Sequence, residues 1–436
     1  MVVALIIFII TYALLLIFPK YRAYIALASA IVFGIMYLTF KSAFAAIEWN
    51  VILMIGGTMG IVALFIASKM PSLLADLIIE KTPNMKWAIV ALALFAGIIS
   101  AFVDNVATVL MVAPIAITLC KKTGKSPVLP VIAIAVMSNL EGAATLVGDT
   151  TSILYAQHAG LDFLDFFVLR YDYLSVPVTR VGMFWIVQLA LVAATFVLLW
   201  IFRKESDPIE KDKRTEVTDY LPTVLLVGMV VLLILASFIP KETLIKLLPN
   251  TSGLINGYIC MGLLIIGLIY YVIKNKNFKV LGDTLKEIDY FTLLLLASLF
   301  VIIAGITEAG VIDAISDFIS RISQGNLFLA YTIIVWFSVI ISGFIDNIPY
   351  VATMLPVATA LGVSLNVDPM ILYAGLLIGS TLGGNLTPIG ASANVAGIGI
   401  LRKEGHEVSA KTYMKVGIPV TLVAVIVGYI LIWILY

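Results

Sequence analysis

Charge is what this chain has least of. Its 436 residues carry 27 Lys and Arg against 26 Asp and Glu, so only 12% are charged, where soluble domains hold about a quarter. That excludes a water-soluble globule, and a formal net charge of +1 leaves no bulk attraction for nucleic acid. There are two histidines, His158 and His406, both near span ends or loops where solvation accounts for them, so no metal or acid–base array is built on histidine. The two cysteines, Cys120 and Cys260, lie in apolar stretches without metal-like spacing, which removes both a disulfide framework and a zinc site. Residues 2–18 have no basic stretch before them and no small-residue cleavage site after them, and are expected to form a retained first span.

What the chain has is hydrocarbon: 62% of residues are hydrophobic and mean hydropathy is +1.11, as in a polytopic membrane protein. Segments able to cross about 30 Å of bilayer fall near 2–18, 23–40, 51–68, 131–157, 180–202, 221–239, 254–273, 291–307, 369–400 and 416–434. Trp49, Trp87, Trp185 and Trp200 fall near span ends, as interfacial anchors do. Two further segments, 87–120 and 329–360, interrupt an apolar run with the same polar pair. Ser-Ala-Phe-Val-Asp-Asn-Val at 100–106 is matched by Ser-Gly-Phe-Ile-Asp-Asn-Ile at 342–348, an offset of 242. Hydrocarbon makes an unpartnered polar group cost several kcal/mol, so Asp104-Asn105 and Asp346-Asn347 imply a task.

The same offset relates Gly142, Thr145 and Gly148 to Gly384, Thr387 and Gly390, and Val176-Pro177-Val178-Thr179 to Ile418-Pro419-Val420-Thr421. The chain is therefore an internal duplication, with a first repeat over 1–203, a charged linker over 204–220 and a second repeat over 221–436. Five crossings per half would insert the second repeat upside down, the inverted arrangement of secondary transporters. Lys and Arg gather in the loops of one side, among them Lys81, Lys121, Lys122, Lys125, Lys274 and the linker, while Lys41, Arg170, Arg180 and Arg321 fall on the other. This places the linker in the cytoplasm and both termini outside, in the plasma or inner membrane. Hairpin 87–120 is expected to be re-entrant and to open to the cytoplasm, since its outgoing arm, 106–119, would be about 21 Å long at helical rise and Pro114 interrupts it. Hairpin 329–360 is expected to open outward.

After each hairpin comes a broken helix, 131–157 and 369–400. Gly142 and Gly148, and Gly384, Pro388 and Gly390, unwind the middle of each. Unwinding frees carbonyls for a cation and a half-helix N-terminus for an anion. The candidate binding residues are Asp104, Asn105, Thr108, Asn139, Glu141, Thr145, Gly148, Asp149 and Thr150 in the first half. In the second they are Asp346, Asn347, Asn385, Thr387, Gly390, Ser392 and Asn394. Asp104, Asn105, Glu141, Asp149, Asp346 and Asn347 are the candidates for Na⁺. With no Lys, Arg or His in the breaks or tips, the four carboxylates would be neutralised by cations, by protons or by one another. Three of them belong to the first half, which predicts the stronger cation site there. Isolated glycines also serve close helix packing, and Asp104 or Asp346 also serves to cap a helix.

These motifs, with Gly-Ala-Ala-Thr-Leu-Val-Gly-Asp at 142–149 and Gly-Gly-Asn-Leu-Thr-Pro-Ile-Gly-Ala-Ser-Ala-Asn at 383–394, resemble the ion transporter superfamily along the whole chain. The similarity is to its arsenite permease, NhaD-type antiporter and melanosomal P-protein group, with a citrate-transporter-like domain. The resemblance implies an all-α elevator-type secondary transporter, a homodimer with a scaffold and a mobile transport region. It implies no enzyme activity and no cofactor other than Na⁺ or H⁺ as coupling ion, and its partners would be a small ion or solute and the lipid bilayer. Dicarboxylate symporters of the superfamily carry Ser-Asn-Thr at the hairpin tips, where this chain has Asp-Asn-Val and Asp-Asn-Ile. An acidic site suits cation exchange or a neutral solute such as arsenous acid. A dicarboxylate or other anion symported with sodium is the alternative. An ion channel or an intramembrane aspartyl enzyme are the readings from other classes. No paired-acid motif surrounds either aspartate, and a channel has no obvious need for two broken-helix sites.

Overall fold

A computed structural model gives the architecture of residues 1–209, 214–217, 219–240, 243, 246 and 251–436. Glu210, Lys211, Asp212 and Lys213 of the linker, and Lys241, lie outside these described residues. The first half runs α1 (Val2–Ile17), α2 (Arg22–Tyr37), α3 (Phe40–Ala45), α4 (Trp49–Ala67), α5 (Met70–Ile79), α6 (Met85–Ser100), α7 (Asn105–Lys122), α8 (Val128–Glu141) and α9 (Thr150–Ala159). A hairpin of β1 (Val168–Tyr173) and β2 (Val176–Val181) then leads into α10 (Met183–Ile201). The second half runs α11 (Leu221–Ala236), α12 (Ile255–Asn275), α13 (Lys279–Glu287), α14 (Tyr290–Glu308), α15 (Val311–Ile322), α16 (Leu327–Ser342), α17 (Asn347–Leu365), α18 (Met370–Gly383), α19 (Ser392–Lys403) and α20 (Ala410–Leu435).

The helices α4 and α5 correspond to α14 and α15 at an offset of 241, and α6 through α9 to α16 through α19 at 242. α6 and α7 turn at Asp104 as α16 and α17 turn at Asp346, and α8–α9 break where α18–α19 break. Among the described residues, seven helices are long and apolar enough to cross a membrane. α8 and α18 are shorter, 14 residues each, and are buried on nearly every face. They carry Ser138, Asn139 and Glu141, and Ser380 and Thr381, polar groups that are costly against lipid, which suits an interior position. α8 lies against α6, α7 and α10, and α18 against α16, α17 and α20. A second group packs beside them, with α2 on α14 and α4 on α12.

Three expectations change. The outgoing arm of the first hairpin is an 18-residue helix that continues through Pro114. At about 27 Å it is longer than the expected arm, so length no longer separates a re-entrant arm from a full crossing. Residues 180 and 181 belong to β2, paired to Leu169 and Val168, and the following helix begins at Met183. β-Branched and aromatic residues in Val-Leu-Arg-Tyr-Asp-Tyr and Val-Pro-Val-Thr-Arg-Val favour strands over a helix here. His158 is not simply solvated: its Nε2 lies 2.8 Å from the Thr359 hydroxyl and its ring meets Tyr373 edge-on.

Candidate ion and solute site

Each hairpin tip is made by an aspartate that ends one helix connection and starts the next helix. Asp104 accepts the backbone N–H groups of Val106 at 3.0 Å and Ala107 at 3.2 Å, and Asp346 accepts that of Ile348 at 3.2 Å. Negative charge at a helix start is favoured by the dipole, so both tips are locally stable. The capping role is real and still leaves lone pairs for a ligand.

The broken helices lean on those tips through repeated contacts. The Thr145 hydroxyl donates to the Ala101 carbonyl and the Thr387 hydroxyl to the Gly343 carbonyl, residues related at the offset of 242. Gly148 and Gly390 are needed for the approach. A Cβ on Gly148 would stand 2.7 Å from the Gly142 carbonyl oxygen and 3.1 Å from that of Ser100, and one on Gly390 would stand 2.8 Å from the Ser342 and Gly343 oxygens. Thr145, Gly148, Thr387 and Gly390 thus fix the loop to the tip, and backbone packing accounts for them.

The two halves meet at an amide cluster. Asn139 donates to the side-chain oxygens of Asn385 at 2.7 Å and Asn394 at 2.9 Å. Asn385 donates to the Val136 carbonyl, and Asn394 to the Gly384 and Thr387 carbonyls. Both amide hydrogens of Asn139 are committed, so what it offers any ligand is its oxygen. Asp149 starts α9, accepting the Thr150 N–H at 2.7 Å, and also takes the Thr151 hydroxyl at 2.8 Å and the Asn347 amide at 3.2 Å. Thr151 in turn meets Thr381 at 2.9 Å, a second bond between the halves.

Asp104, Asn105, Asn139, Asp149, Thr150, Asn347 and Ser392 line one cavity of about 180 Å³. Glu287 and Asp289 line it as well, and among the described residues no Lys, Arg or His does. Sequence reasoning missed these two acids, which stand at the end of α13 and just before α14, away from the tips and breaks. The volume lies below the roughly 300–1,000 Å³ of drug-sized sites, which suits a small ion or solute.

The remaining candidates lie elsewhere. Thr108 is buried with no hydrogen-bond partner for its hydroxyl and does not reach the cavity. Glu141 is fully buried on another face of α8, where Gln188 of α10 donates to Oε2 at 2.7 Å and Oε1 has no partner. The expected group of Asp104, Glu141 and Asp149 is therefore not assembled. Among the described residues no three His, Cys, Asp or Glu side chains are grouped to hold a metal ion. A small cation here would need amide, hydroxyl and backbone oxygens besides carboxylates. Asp346 faces a separate cavity of about 600 Å³ and is bonded to the Arg22 guanidinium at 2.5 Å and to the Ser392 hydroxyl at 3.2 Å. Arg22 corrects the expectation that no cationic side chain reaches either tip. It comes from the α1–α2 connection, 324 residues away, and nothing in the local sequence marks it.

Interior helices broken beside buried carboxylates, in a chain of membrane-crossing helices, define a membrane transporter. The chain belongs to the citrate transporter family, whose profile matches residues 6–379. It is 30% identical over 404 residues to an uncharacterized transporter of Mycobacterium tuberculosis, covering 91% of this chain and 89% of that one. It is 27% identical to the human P protein, spanning 88% of this chain and about half of that longer one, 53%. The fold is similar to that of the YdaH transporter of Alcanivorax borkumensis, with a TM-score of 0.58 at 14% identity over 96% of this chain and 97% of that one.

Proposed function

We propose that this protein is a secondary active transporter of a small ion or solute, coupled to Na⁺ or H⁺, whose coupling cation binds at Asp104, Asn105, Asn139, Asp149, Thr150 and Asn347. The observation that carries the reading is the cavity itself. Four carboxylates line a small space between broken helices and no cationic side chain shares it. Asp149 is buried and Asp104 half-buried, with Glu287 and Asp289 at the exposed edge, and negative charge held inside a membrane protein without a counter-charge is costly, so a cation or protons complete the site. A channel has no need to hold them so closely in a cavity formed by both halves.

The route to solvent fits alternating access. A second cavity of about 420 Å³ lies between α5 and α7. It shares Ile66 and Leu110 with the first and reaches Glu80 and Lys122. By the loop-charge asymmetry that end is cytoplasmic, so the conformation is inward-facing. The two repeats are inverted, and the hairpins and broken helices move as one body in an elevator within a homodimer. Both termini face outside.

A second reading has its own observation. α9 begins with the Asp149 carboxylate on its first N–H, whereas α19 begins at Ala391, which has no side-chain cap. Ala391, Ser392 and Ala393 line the same cavity. An uncapped helix start beside a bound cation suits one oxygen of an anion, so a carboxylate carried with Na⁺ fits this site. Purified protein in proteoliposomes, screened for uptake of citrate, other carboxylates, arsenite and Na⁺ under imposed Na⁺ and pH gradients, tests the proposal. Uphill movement of one of these driven by a Na⁺ or H⁺ gradient is expected. Downhill flux alone, with unitary currents in voltage-clamped bilayers, would overturn it in favour of a channel.

A further inference from the structure

The two hairpin tips share the Asp-Asn pair and a cap from the carboxylate to the N–H two residues on, yet have opposite electrostatic surroundings. Asp104 opens on a cavity whose other charged groups, Asp149, Glu287 and Asp289, are all acidic. Asp346 has the Arg22 guanidinium at 2.5 Å, with the two side chains only 21% and 14% exposed. Ser392 Oγ donates to the same Asp346 oxygen, so Oδ2 is doubly held. Thr150, at the place of Ser392 in the first half, lines the cavity beside Asp104 and there has no arginine to share it with. A guanidinium is planar, stays charged at every relevant pH and pairs strongly with a carboxylate in a half-buried setting.

We propose that Arg22 is a resident cation, tethered in the second of two repeat-related cation sites, so that the protein takes one external cation where its duplicated sequence provides for two. This deepens the transporter reading and rests on it, since the external cation is the one at Asp104 and Asp149. The arginine acts as a specificity-determining residue for stoichiometry and touches no substrate. Removing it leaves the Asp346 carboxylate and the Ser392 hydroxyl as a second site in want of a positive charge. The other charged side chain lining this cavity is Lys20.

The test is equilibrium binding of radiolabelled Na⁺ to purified protein, with proton uptake followed in the same sample, for wild type, Arg22→Gln, Asp346→Asn, the double variant and Asp104→Asn. Wild type is expected to bind one cation per protomer, Arg22→Gln two, and the double variant one again. Asp346→Asn, which keeps the arginine, is expected to match wild type, and it decides the matter if Arg22→Gln does not fold. A wild-type count in Arg22→Gln, or loss of one cation in Asp346→Asn, overturns the proposal. Failure of the underlying reading looks different, because it appears as undiminished binding in Asp104→Asn.

Discussion

At the scale of single residues, the carboxylates divide by their surroundings. Asp104 and Asp149 face a shared cavity, Asp346 is paired with Arg22, and Glu141 is sealed behind α8. Glu141 is fully buried, takes one amide hydrogen bond from Gln188 and lies off the cavity, and glutamine replaces it at nearly equal volume. Glu141→Gln is therefore expected to keep flux within about threefold of wild type, roughly 0.7 kcal/mol at 1.4 kcal/mol per decade. Initial rates in proteoliposomes check this, and a hundredfold loss would place Glu141 in the transport cycle. The Asp-Asn tips, Asn139, Asp149 and the paired breaks were legible in the sequence because polar groups in apolar runs stand out and the duplication repeats them. Arg22, Glu287 and Asp289 are not legible, since they stand at helix ends far in sequence from the tips and come near the site only through tertiary packing.

At the scale of elements, the hairpin and the broken helix of each half work as one unit, joined by Thr145 to Ala101 and Thr387 to Gly343. The glycines at the contact have no room for a side chain. Gly148→Ala puts a methyl group 2.7 Å from a carbonyl oxygen and is expected to destabilise by about 1–3 kcal/mol, as overpacking does. Thermal unfolding in detergent measures it, and an unchanged midpoint would show that the break does not depend on this approach. The order of elements and both breaks were readable from apolar run lengths and glycine spacing. The β1–β2 hairpin was hidden because its strands abut a span without a polar gap. Pro114 reads as an interruption in the sequence, yet α7 continues through it, because a helix tolerates proline when neighbours cover the freed carbonyl.

At the scale of the whole molecule, the two halves repeat one plan, and the proposal turns one of them over in the membrane. Lys121 stands near the end of α7 and the exposed Val363 at the corresponding place in α17, 242 residues on. Single cysteines introduced at these positions, labelled from one side of intact vesicles, are expected to react from opposite sides. Labelling from the same side would remove the inversion and with it the alternating-access scheme. The central claim is that the acidic cavity, and not the arginine-paired tip, binds the coupling cation. The measurement closest to it is the Na⁺ and pH dependence of flux for Asp104→Asn and Asp149→Asn beside wild type, in proteoliposomes of equal protein content. The account predicts that each variant loses gradient-driven accumulation while still appearing as folded protein on size exclusion. Unchanged cation dependence in both variants would contradict it.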